Sequence, residues 1–422
     1  IPPSMIKEIE VYKGVVPGHL ADDALGGAIN IVLQNSTQSN FGASVSYGSF
    51  NTLQASINGL HRFKESGFTV KGSLFYNYSD NDYKVSGRSV VVTGIGGVQT
   101  PVTARRFNDA YRSSGGMLQI GYTDVKWADQ FLIGFTGSSD YKEIQHGAFM
   151  TIMPYKDRFM ESDAMLMNLT YQKKDLFVKG LDVTINGLYG KRNRMVSDTL
   201  AWAYSWNGER AIDFRGNEYQ YSWRSQQEGS GPTLAKINRN VSSIRTGVSY
   251  AISKNHRIML NHVYSGIDRV DSDQLRSVLE NTFRGTRDLR KNIVSLTYEV
   301  NALDEKLRAN VFGKYYQQET INIDPEINKE TNEIVDDITS ANKVDEGYGF
   351  TLSYAVLPNI TLLTSAEKAI RLPNESEVFG NDGDNVVANP SIRPELSNNF
   401  NLGFRLGTFH IDQHDFTVSS NL

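Results

Sequence analysis

Apolar and polar side chains alternate one by one through most of the chain after residue 40. One face of the segment from residue 348 to residue 356 is wholly apolar and consists of Tyr348, Phe350, Leu352, Tyr354 and Val356. Side chains on a β-strand point alternately to its two faces, so this period of two predicts strands with one apolar face. A helix is excluded because the apolar residues do not recur at spacings of three and four.

Segments of this kind recur often enough to predict about fifteen strands. Their predicted bounds are 41–49, 52–62, 67–78, 114–123, 130–138, 164–172, 181–190, 241–252, 257–265, 291–300, 306–317, 345–356, 359–367, 397–407 and 409–418. Most are close to the roughly 9–11 residues that a tilted strand needs to cross a membrane. Tyrosine tends to end the apolar face, as at Tyr78, Tyr189 and Tyr298, where an interfacial girdle of aromatic residues would lie.

The links between these strands alternate between short and long. The link 63–66 is short, whereas 79–113, 191–240 and 318–344 are long, and only the first link, around 48–51, departs from the pattern. Short turns on one side and long loops on the other are typical of outer-membrane barrels. A soluble β-sandwich also has alternating strands, but it does not sort its loops by length. We therefore predict an all-β membrane protein, a large antiparallel transmembrane β-barrel.

Composition agrees with a barrel and excludes other classes. The 422 residues include 21 tyrosines, 20 phenylalanines and 36 glycines but only 11 prolines. A mean hydropathy of -0.39 does not argue against a barrel, because only alternate residues of its strands face lipid. No transmembrane helix is predicted, because the chain has no apolar run of about 18 residues. Without cysteine there is no disulfide or thiolate metal site, and a net charge of -4 does not call for nucleic acid.

The stretch 6–33 differs from the rest of the chain. Two short apolar runs flank a connection that contains the turn signal Val16-Pro17-Gly18 and the doublet Gly26-Gly27. We predict two short strands joined by a broken turn. Adjacent glycines imply backbone angles or close approaches that a Cβ would forbid, so Gly26→Val is expected to misfold this stretch.

Two pairs of sequence landmarks match a known family. The runs Ile9-Glu10-Val11-Tyr12-Lys13-Gly14 and Ala24-Leu25-Gly26-Gly27-Ala28-Ile29-Asn30-Ile31 resemble the end of the plug domain of TonB-dependent outer-membrane receptors. The runs 371–380 (RLPNESEVFG) and 389–395 (NPSIRPE) resemble an external loop of the same receptors. The resemblance implies that residues 1–34 are the C-terminal part of an α/β plug domain and that residues 35–422 belong to the surrounding barrel.

The resemblance also assigns roles to residues of the plug. Six motif residues are expected to serve plug folding and docking against the barrel wall: Glu10, Lys13, Gly14, Gly26, Gly27 and Asn30. Charged residues on the polar face of the strands, such as Lys314, imply a charged lumen wall that offers partners to buried plug charges. The turn 18–23 is a candidate for ligand contact through His19 and Asp22, since it could point into the lumen.

The predicted strand count is lower than the family requires. Barrels of this family close with about 22 strands. An odd number of strands does not close a single-chain bacterial barrel, and an open edge is not tolerated in lipid. The chain also has no signal peptide at its start. It is therefore expected to be a piece of a longer precursor that holds roughly seven more strands, on the order of 200 residues.

The link 191–240 is the second candidate for ligand contact, because aromatic residues crowd it. They are Trp202, Tyr204, Trp206, Tyr221 and Trp223 among others. Exposed aromatic rings stack on sugars or flat organic ligands. The alternative, which stays open, is that so long a link needs a small core of its own.

No catalytic or metal-binding constellation stands out. His410 and His414 would lie on one face of the predicted strand 409–418, about 13 Å apart and too far to share a metal. The run 381–385 (NDGDN) has oxygen ligands at calcium-like spacing, but its residues favour a plain polar turn. We therefore predict no enzyme activity, no cofactor and no metal site.

The family resemblance implies active import of a scarce, bulky nutrient across the outer membrane of a Gram-negative bacterium. The periplasm has no ATP, so energy would arrive through TonB, which binds a segment absent from this chain. A siderophore-type iron chelate is the default substrate, while glycan, peptide, haem and cobalamin stay open. Expected partners besides TonB and the nutrient are the lipid bilayer, lipopolysaccharide and, in some members, a surface lipoprotein lid.

Two other functional classes compete with import. The first is a non-transporting barrel that serves as a structural or adhesive subunit of a larger outer-membrane assembly. The second is a diffusion porin, which lacks a plug, so the stretch 6–33 argues against it.

Overall fold

The computed structural model describes residues 6–20, 23–33, 39–147, 149–222, 226, 231–275, 286–380, 386, 388–411 and 414–422. The expectations for Asp22, for Trp223 and for the polar turn 381–385 lie outside these residues. The described parts of the chain are almost entirely β-strand, with one short helix, α1 (Glu375–Phe379). Among them there is no helix of the length and apolarity needed to cross a membrane.

The N-terminal stretch folds as a small hairpin of its own. Strands β1 (Ile6–Lys13) and β2 (Gly27–Leu33) pair in an antiparallel two-stranded sheet. The backbone N–H of Gly14 donates to the Gly26 carbonyl at 2.9 Å and closes the base of the connection between them. That connection contains a single 3-10 turn, Gly18–Leu20. The predicted pair of strands with a broken turn is confirmed.

Most of the remaining described residues belong to one large antiparallel sheet of fifteen strands, β3–β5 and β10–β21, ordered as they follow in the sequence. The strands after β2 are β3 (Asn40–Gly48), β4 (Thr52–Arg62), β5 (Phe68–Ser79), β6 (Lys84–Val85), β7 (Val91–Thr93), β8 (Gln99–Pro101), β9 (Ala104–Arg105), β10 (Tyr111–Val125), β11 (Ala128–Glu143), β12 (Phe159–Lys173), β13 (Leu181–Asp198), β14 (Thr233–Ser253), β15 (His256–Asp273), β16 (Thr286–Ala302), β17 (Leu307–Ile327), β18 (Ile334–Leu357), β19 (Ile360–Arg371), β20 (Glu395–Ile411) and β21 (His414–Asn421). Strands β6 to β9 form two small sheets within the link from β5 to β10. The predicted number of strands in the large sheet is confirmed.

Many strands run further into the long links than the sequence predicts. The prediction of a loop at 318–344 is wrong. Strands β17 and β18 continue to pair through this region, from Gln318 with Lys343 as far as Ile327 with Ile334. These extensions are rich in polar residues, so the alternation of apolar side chains that marks a strand fades there. The ladder itself continues because it depends on backbone hydrogen bonds, which any side chain permits.

The predicted strand 409–418 is also wrong. Strand β20 continues to Ile411 and β21 begins at His414, so His410 and His414 belong to different strands. His410 pairs across the ladder with Asp415, and its Nδ1 lies 2.5 Å from the Asp415 carboxylate. Apolar and polar residues still alternate across so short a break. The sequence pattern therefore does not show where one strand ends and the next begins.

Burial on the large sheet is the reverse of that in a soluble protein. On β17, Val311 and Tyr315 are 59% and 42% exposed, whereas Lys314 and Gln318 on the other face are 3% and 0% exposed. Thr69 on β5 is buried in the same way. We call these two sides the apolar face and the polar face. An outward apolar face with a polar interior is the arrangement of a membrane barrel, and it differs from a sandwich with a dry middle.

Candidate functional site

The connection of the N-terminal hairpin lies against the polar face of the large sheet. At its centre Val16 is fully buried, and its backbone N–H donates to Glu367 Oε2 at 3.1 Å. The Val16 carbonyl accepts from Lys314 Nζ at 3.1 Å, and this ammonium lies 2.8 Å from Glu367 Oε1. Strands β17 and β19 thus hold both backbone polar groups of one hairpin residue through a single ion pair.

This ion pair is fully enclosed, since the side chains of Lys314 and Glu367 are both 0% exposed. Taking two charges out of water is costly, and their attraction offsets that cost only when the remaining donors and acceptors are satisfied. Val16 supplies the additional donor and acceptor, and its own backbone groups are satisfied in return. The hairpin and the charged pair therefore stabilise each other.

Gly18 brings the hairpin into close contact with the sheet. A Cβ at this position would collide with Thr297 Oγ1 and would lie 2.8 Å from Phe312 Cβ and 2.9 Å from Ser295 Oγ. These three residues belong to the polar face of β16 and β17. Only glycine fits here, and the reason is space rather than an unusual backbone angle.

Three more polar side chains of the sheet bind the connection of the hairpin. Lys291 pairs with Asp23 at 2.9 Å, the Arg245 guanidinium donates to the Leu20 carbonyl, and the Asn399 amide donates to the Leu25 carbonyl. Most of these contacts reach backbone carbonyls. Docking therefore depends on the path of the hairpin backbone more than on the identity of its side chains.

Two of the six motif residues form a small hydrogen-bonded group on the hairpin. The Glu10 carboxylate accepts from Asn30 Nδ2 at 2.8 Å and from the Tyr12 hydroxyl at 2.8 Å. These hydrogen bonds, chiefly the one from Asn30, lower the pKa of Glu10. Burial, followed by the bond to Glu10, raises the pKa of Tyr12 to about 12. The group joins β1 to β2, so Glu10 and Asn30 hold the hairpin together.

The motif glycines differ in what they require. Gly14 and Gly27 have φ of 81° and 152°, and a Cβ on Gly27 would collide with the Tyr12 carbonyl. Gly26 has no atom within 4 Å of a Cβ. The structure therefore does not support the expectation that Gly26→Val misfolds the stretch. The position that must be glycine is Gly27, the next residue. Lys13 is exposed and faces Gly27 across the ladder.

The aromatic candidates for ligand contact have different surroundings. Trp206 is 1% exposed and packs with Val90 and Ala104, so its burial does not fit direct contact with a ligand. Tyr204 is also buried, whereas Trp202 and Tyr221 are partly exposed. His19 is exposed on the N-terminal hairpin, 6.5 Å from the Tyr12 ring, on a different element from the others.

The sequence landmark 371–380 forms an ion-paired junction. The Arg371 guanidinium donates to both oxygens of Glu377, at 2.7 and 3.1 Å, and to both oxygens of Glu395, at 2.5 and 3.1 Å. Asn374 caps α1 in a capping box with Glu377. One arginine therefore links the end of β19, the start of β20 and the helix between them.

The same landmark is fastened to the polar face of the sheet. Glu375 Oε1 lies 2.5 Å from Arg239 Nε and 3.2 Å from Arg269 Nη1. Arg269, which is 2% exposed, forms a second, two-pronged pair with Asp271. Val378 and Phe379 are buried against Leu289. The described first part of the link after β19, residues 372–380, thus folds onto the sheet instead of extending away from it.

These contacts predict a pH dependence for the link after β19. Hydrogen bonds from Arg371 lower the pKa of Glu377 below its ordinary value. A lowered folded-state pKa means that the ionised carboxylate stabilises the link above about pH 4.3, the unfolded value, and that this stabilisation is lost as pH falls through the lower folded value. Amide hydrogen exchange in residues 372–380, corrected for its intrinsic pH dependence, should accelerate severalfold between pH 6 and pH 3.

The variant Glu377→Gln should exchange faster at pH 6 and should show a smaller further acceleration at pH 3. Glu330→Gln serves as a control, because Glu330 is exposed at the far end of β17 and β18. Identical exchange profiles for Glu377→Gln and the unmodified protein would contradict the prediction.

The sequence does not identify the ion pair that holds Val16. Lys314 can be recognised in the sequence as a charged residue on the polar face of a strand. Glu367 lies in the run Ser365-Ala366-Glu367-Lys368, and nothing in the sequence indicates that it meets Lys314. Their pairing follows from the order and register of β17, β18 and β19. A search for charges on buried-face positions of all strands could have listed both residues, but not the hairpin atoms between them.

No family model matches the chain, and no curated protein matches it. Several solved structures match the chain. The siderophore receptor PiuA from Acinetobacter baumannii aligns over 99% of this chain with a TM-score of 0.65 and 11% identity. The copper transporter OprC aligns over 100% with a TM-score of 0.67 and 12% identity. The hemophore receptor HasR from Serratia marcescens, solved with its hemophore HasA and heme, aligns over 100% with a TM-score of 0.62 and 12% identity.

The fold is that of the TonB-dependent outer-membrane receptors. The family resemblance stated from the sequence landmarks is thus confirmed at the level of fold. The receptor structures are transporters and receptors, not enzymes. The chain spans 61%, 59% and 60% of the lengths of PiuA, OprC and HasR. In this fold the large sheet is part of a receptor-type barrel, and its polar face lies toward the lumen.

Proposed function

We propose that this chain is part of a TonB-dependent importer that carries a scarce, bulky nutrient across the outer membrane of a Gram-negative bacterium. In this proposal residues 1–34 are the end of the plug and residues 35–422 belong to the barrel. The observation that carries it is the docking of the N-terminal hairpin in the lumen through Val16, Lys314 and Glu367. A diffusion porin has no use for such a hairpin.

The six motif residues divide between two tasks in this proposal. Glu10, Asn30 and Gly27 maintain the hairpin. A Cβ on Gly14 would lie 2.6 Å from Asn401 of β20, so Gly14 contributes to docking. Gly26 contributes its carbonyl, which accepts from the Gly14 N–H, and Lys13 is exposed. A plug fastened mainly by backbone groups is held in one place yet carries few buried side chains that would resist removal.

The proposed partners follow from the faces of the sheet. The apolar face suits the lipid bilayer, and lipopolysaccharide would surround its outer part. TonB would supply the energy for transport. For the nutrient we propose a siderophore-type iron chelate first. PiuA is named a siderophore receptor, OprC a copper transporter and HasR a hemophore receptor, so metal complexes are the shared theme among these structures.

Uptake by a deletion strain tests the proposal. Cells that lack the complete gene should grow poorly under iron limitation on at least one ferric chelate from a panel of catecholates, hydroxamates and citrate. Growth should return with the unmodified gene and should fail again when tonB is deleted. Normal growth on every chelate, haem and cobalamin, together with a loss of adhesion or of envelope integrity, would favour the structural or adhesive barrel instead.

A further inference from the structure

Strands β17 and β18 form a ribbon that extends past the neighbouring strands on the long-link side of the sheet. The two strands pair with each other without interruption as far as Ile327 with Ile334. On its other side β18 pairs with β19 only from Tyr348 to Leu357. In the part of the chain that the structure describes, residues 334–342 therefore have a strand partner on one side and an open edge on the other.

The open edge of β18 carries backbone groups that can pair with another strand. In an antiparallel ladder each strand turns alternate pairs of N–H and C=O groups to either side. An exposed edge of this kind accepts an added strand unless proline or charge prevents it. The segment 334–342 has no proline, and its charges are those of Asp336 and Asp337. Its backbone is therefore competent to pair, and its charges decide with what.

One face of the ribbon is apolar. Ile323 and Ile327 of β17 lie directly opposite Ile338 and Ile334 of β18, and residues opposite each other share a face. Of these four, Ile338, Ile334 and Ile327 are 63%, 55% and 36% exposed. The β17 positions lie an even number of residues from Tyr315, so they continue its outward apolar face and point away from the lumen.

This group of isoleucines is separate from the lipid-facing part of the apolar face. A pair of polar residues, Glu319 opposite Asn342, interrupts the face between Tyr315 and Ile323. Exposed apolar residues that are grouped together and rimmed by polar ones mark interaction sites for proteins. Because the group points away from the lumen, it suits a protein beside the barrel rather than an imported nutrient.

The ribbon is strongly acidic around this apolar group. Residues 326–337 contain five acidic residues and one lysine. Asp336 and Asp337 are exposed. Asp336 lies between Ile334 and Ile338 on the same face, because the side-chain period of a strand is two. A strand laid along the edge therefore meets the order apolar, acidic, apolar.

Charge distinguishes between two occupants of the edge. If two copies of the ribbon paired about an axis at Asp336, Ile334 would lie opposite Ile338, but Asp336 would face the same residue of the other copy. Like charges directly opposite each other destabilise a ladder. A strand with a basic residue at that position keeps the apolar contacts and replaces the repulsion by an ion pair.

We propose that the open edge of β18, residues 334–342, binds an extended basic segment of another protein by strand addition. The segment would place apolar side chains against Ile334 and Ile338 and lysine or arginine beside Asp336 and Asp337. The inference goes beyond nutrient import, since this binding needs neither the N-terminal hairpin nor passage through the lumen.

Binding of the peptide TVTTIKRVI to the complete protein in lipid nanodiscs tests the proposal. Laid antiparallel to residues 334–342, this peptide sets isoleucine opposite Ile338 and Ile334, and lysine and arginine opposite Asp337 and Asp336. Amide hydrogen exchange should slow severalfold in residues 334–342 when the peptide is added and should stay unchanged in residues 348–357. The acidic peptide TVTTIEEVI should bind about tenfold more weakly, as expected when two exposed attractions become repulsions.

Two results of these measurements would overturn the proposal. One is unchanged exchange in residues 334–342 at high concentrations of the basic peptide. The other is equal binding of the basic and the acidic peptide.

Substitutions locate the binding. Asp336→Lys/Asp337→Lys should reverse the preference, so that the acidic peptide binds more tightly than the basic one. Asp304→Lys/Glu305→Lys makes the same change of charge at exposed positions on the opposite end of β17 and should leave the preference unchanged. A preference for the basic peptide that persists in Asp336→Lys/Asp337→Lys would overturn the proposal.

The isoleucines are tested in the same way. Ile334→Thr/Ile338→Thr should weaken the binding of both peptides about tenfold, while threonine keeps the preference for a strand. Unchanged binding in this variant would contradict a role for the apolar face. A dimer of the unmodified protein that dissociates in this variant would assign the edge to a second copy and overturn the basic partner.

Discussion

Gly18→Val is expected to release the N-terminal hairpin from the barrel lumen. The added side chain would occupy space held by Thr297, Phe312 and Ser295, and all three are fixed on adjacent strands. Overpacking of a tight contact typically costs about 1–3 kcal/mol. Here the hairpin can avoid the collision by leaving the sheet. The cost should therefore appear as an increase of about fivefold to 150-fold in the ratio of undocked to docked hairpin.

Thiol labelling measures this release, because the chain has no cysteine. Val16 is fully buried in the docked state, so a Val16→Cys reporter should react slowly with a maleimide. Adding Gly18→Val should accelerate labelling in proportion to undocking. Gly26→Val is the matched control, since nothing lies within 4 Å of a Cβ there. Equal labelling rates for the two glycine variants would show that Gly18 does not govern docking.

Glu367→Ala is expected to be the most damaging single change on the lumen wall. It leaves the Lys314 ammonium, which is buried, facing a void where its carboxylate was, and it removes the acceptor for the Val16 N–H. Removal of one partner from a buried ion pair costs about 3–5 kcal/mol. Both the folded barrel and the docked hairpin should therefore be destabilised.

Two readouts separate these effects. Unfolding in urea should report the loss of barrel stability, and the Val16→Cys reporter should report undocking.

The double variant Lys314→Met/Glu367→Leu should recover much of the barrel stability, because no charge remains buried. It should not recover the docking, because Val16 loses both partners. Glu305→Ala is the control: its pair with Arg308 is 80% and 65% exposed and should be worth less than about 1 kcal/mol. If Glu367→Ala unfolds no more readily than Glu305→Ala, the enclosed pair is not a source of stability.

The two variants bear on how the hairpin could leave and return. Lys314 and Glu367 pair with each other at 2.8 Å in addition to their bonds with Val16. If the hairpin departs, the two charges still have each other, so what this pair loses is its hydrogen bonds to the Val16 backbone. The Lys314–Glu367 pair therefore remains in place as a docking site for the hairpin.

Alternation along the chain determined the strands and their faces. On β18, Tyr348 and Tyr354 fall on the exposed apolar face as the pattern predicts, since the side-chain period of a strand is two. The pattern did not predict the ends of strands that are rich in polar residues, as between residues 318 and 344. Both faces of the strand are polar there, so no alternation of apolar and polar residues marks it. The landmarks 9–14, 24–31 and 371–380 were sufficient to indicate the fold family.

The sequence by itself determined an all-β chain of about fifteen strands with an N-terminal hairpin and one apolar face. Only the tertiary structure decided that Val16 meets Lys314 and Glu367, that Gly18 rather than Gly26 needs to be glycine, and that Trp206 is a core residue joining three links. The reason is physical: alternation is a local property of neighbouring residues, whereas these contacts join residues up to 351 positions apart and depend on strand register.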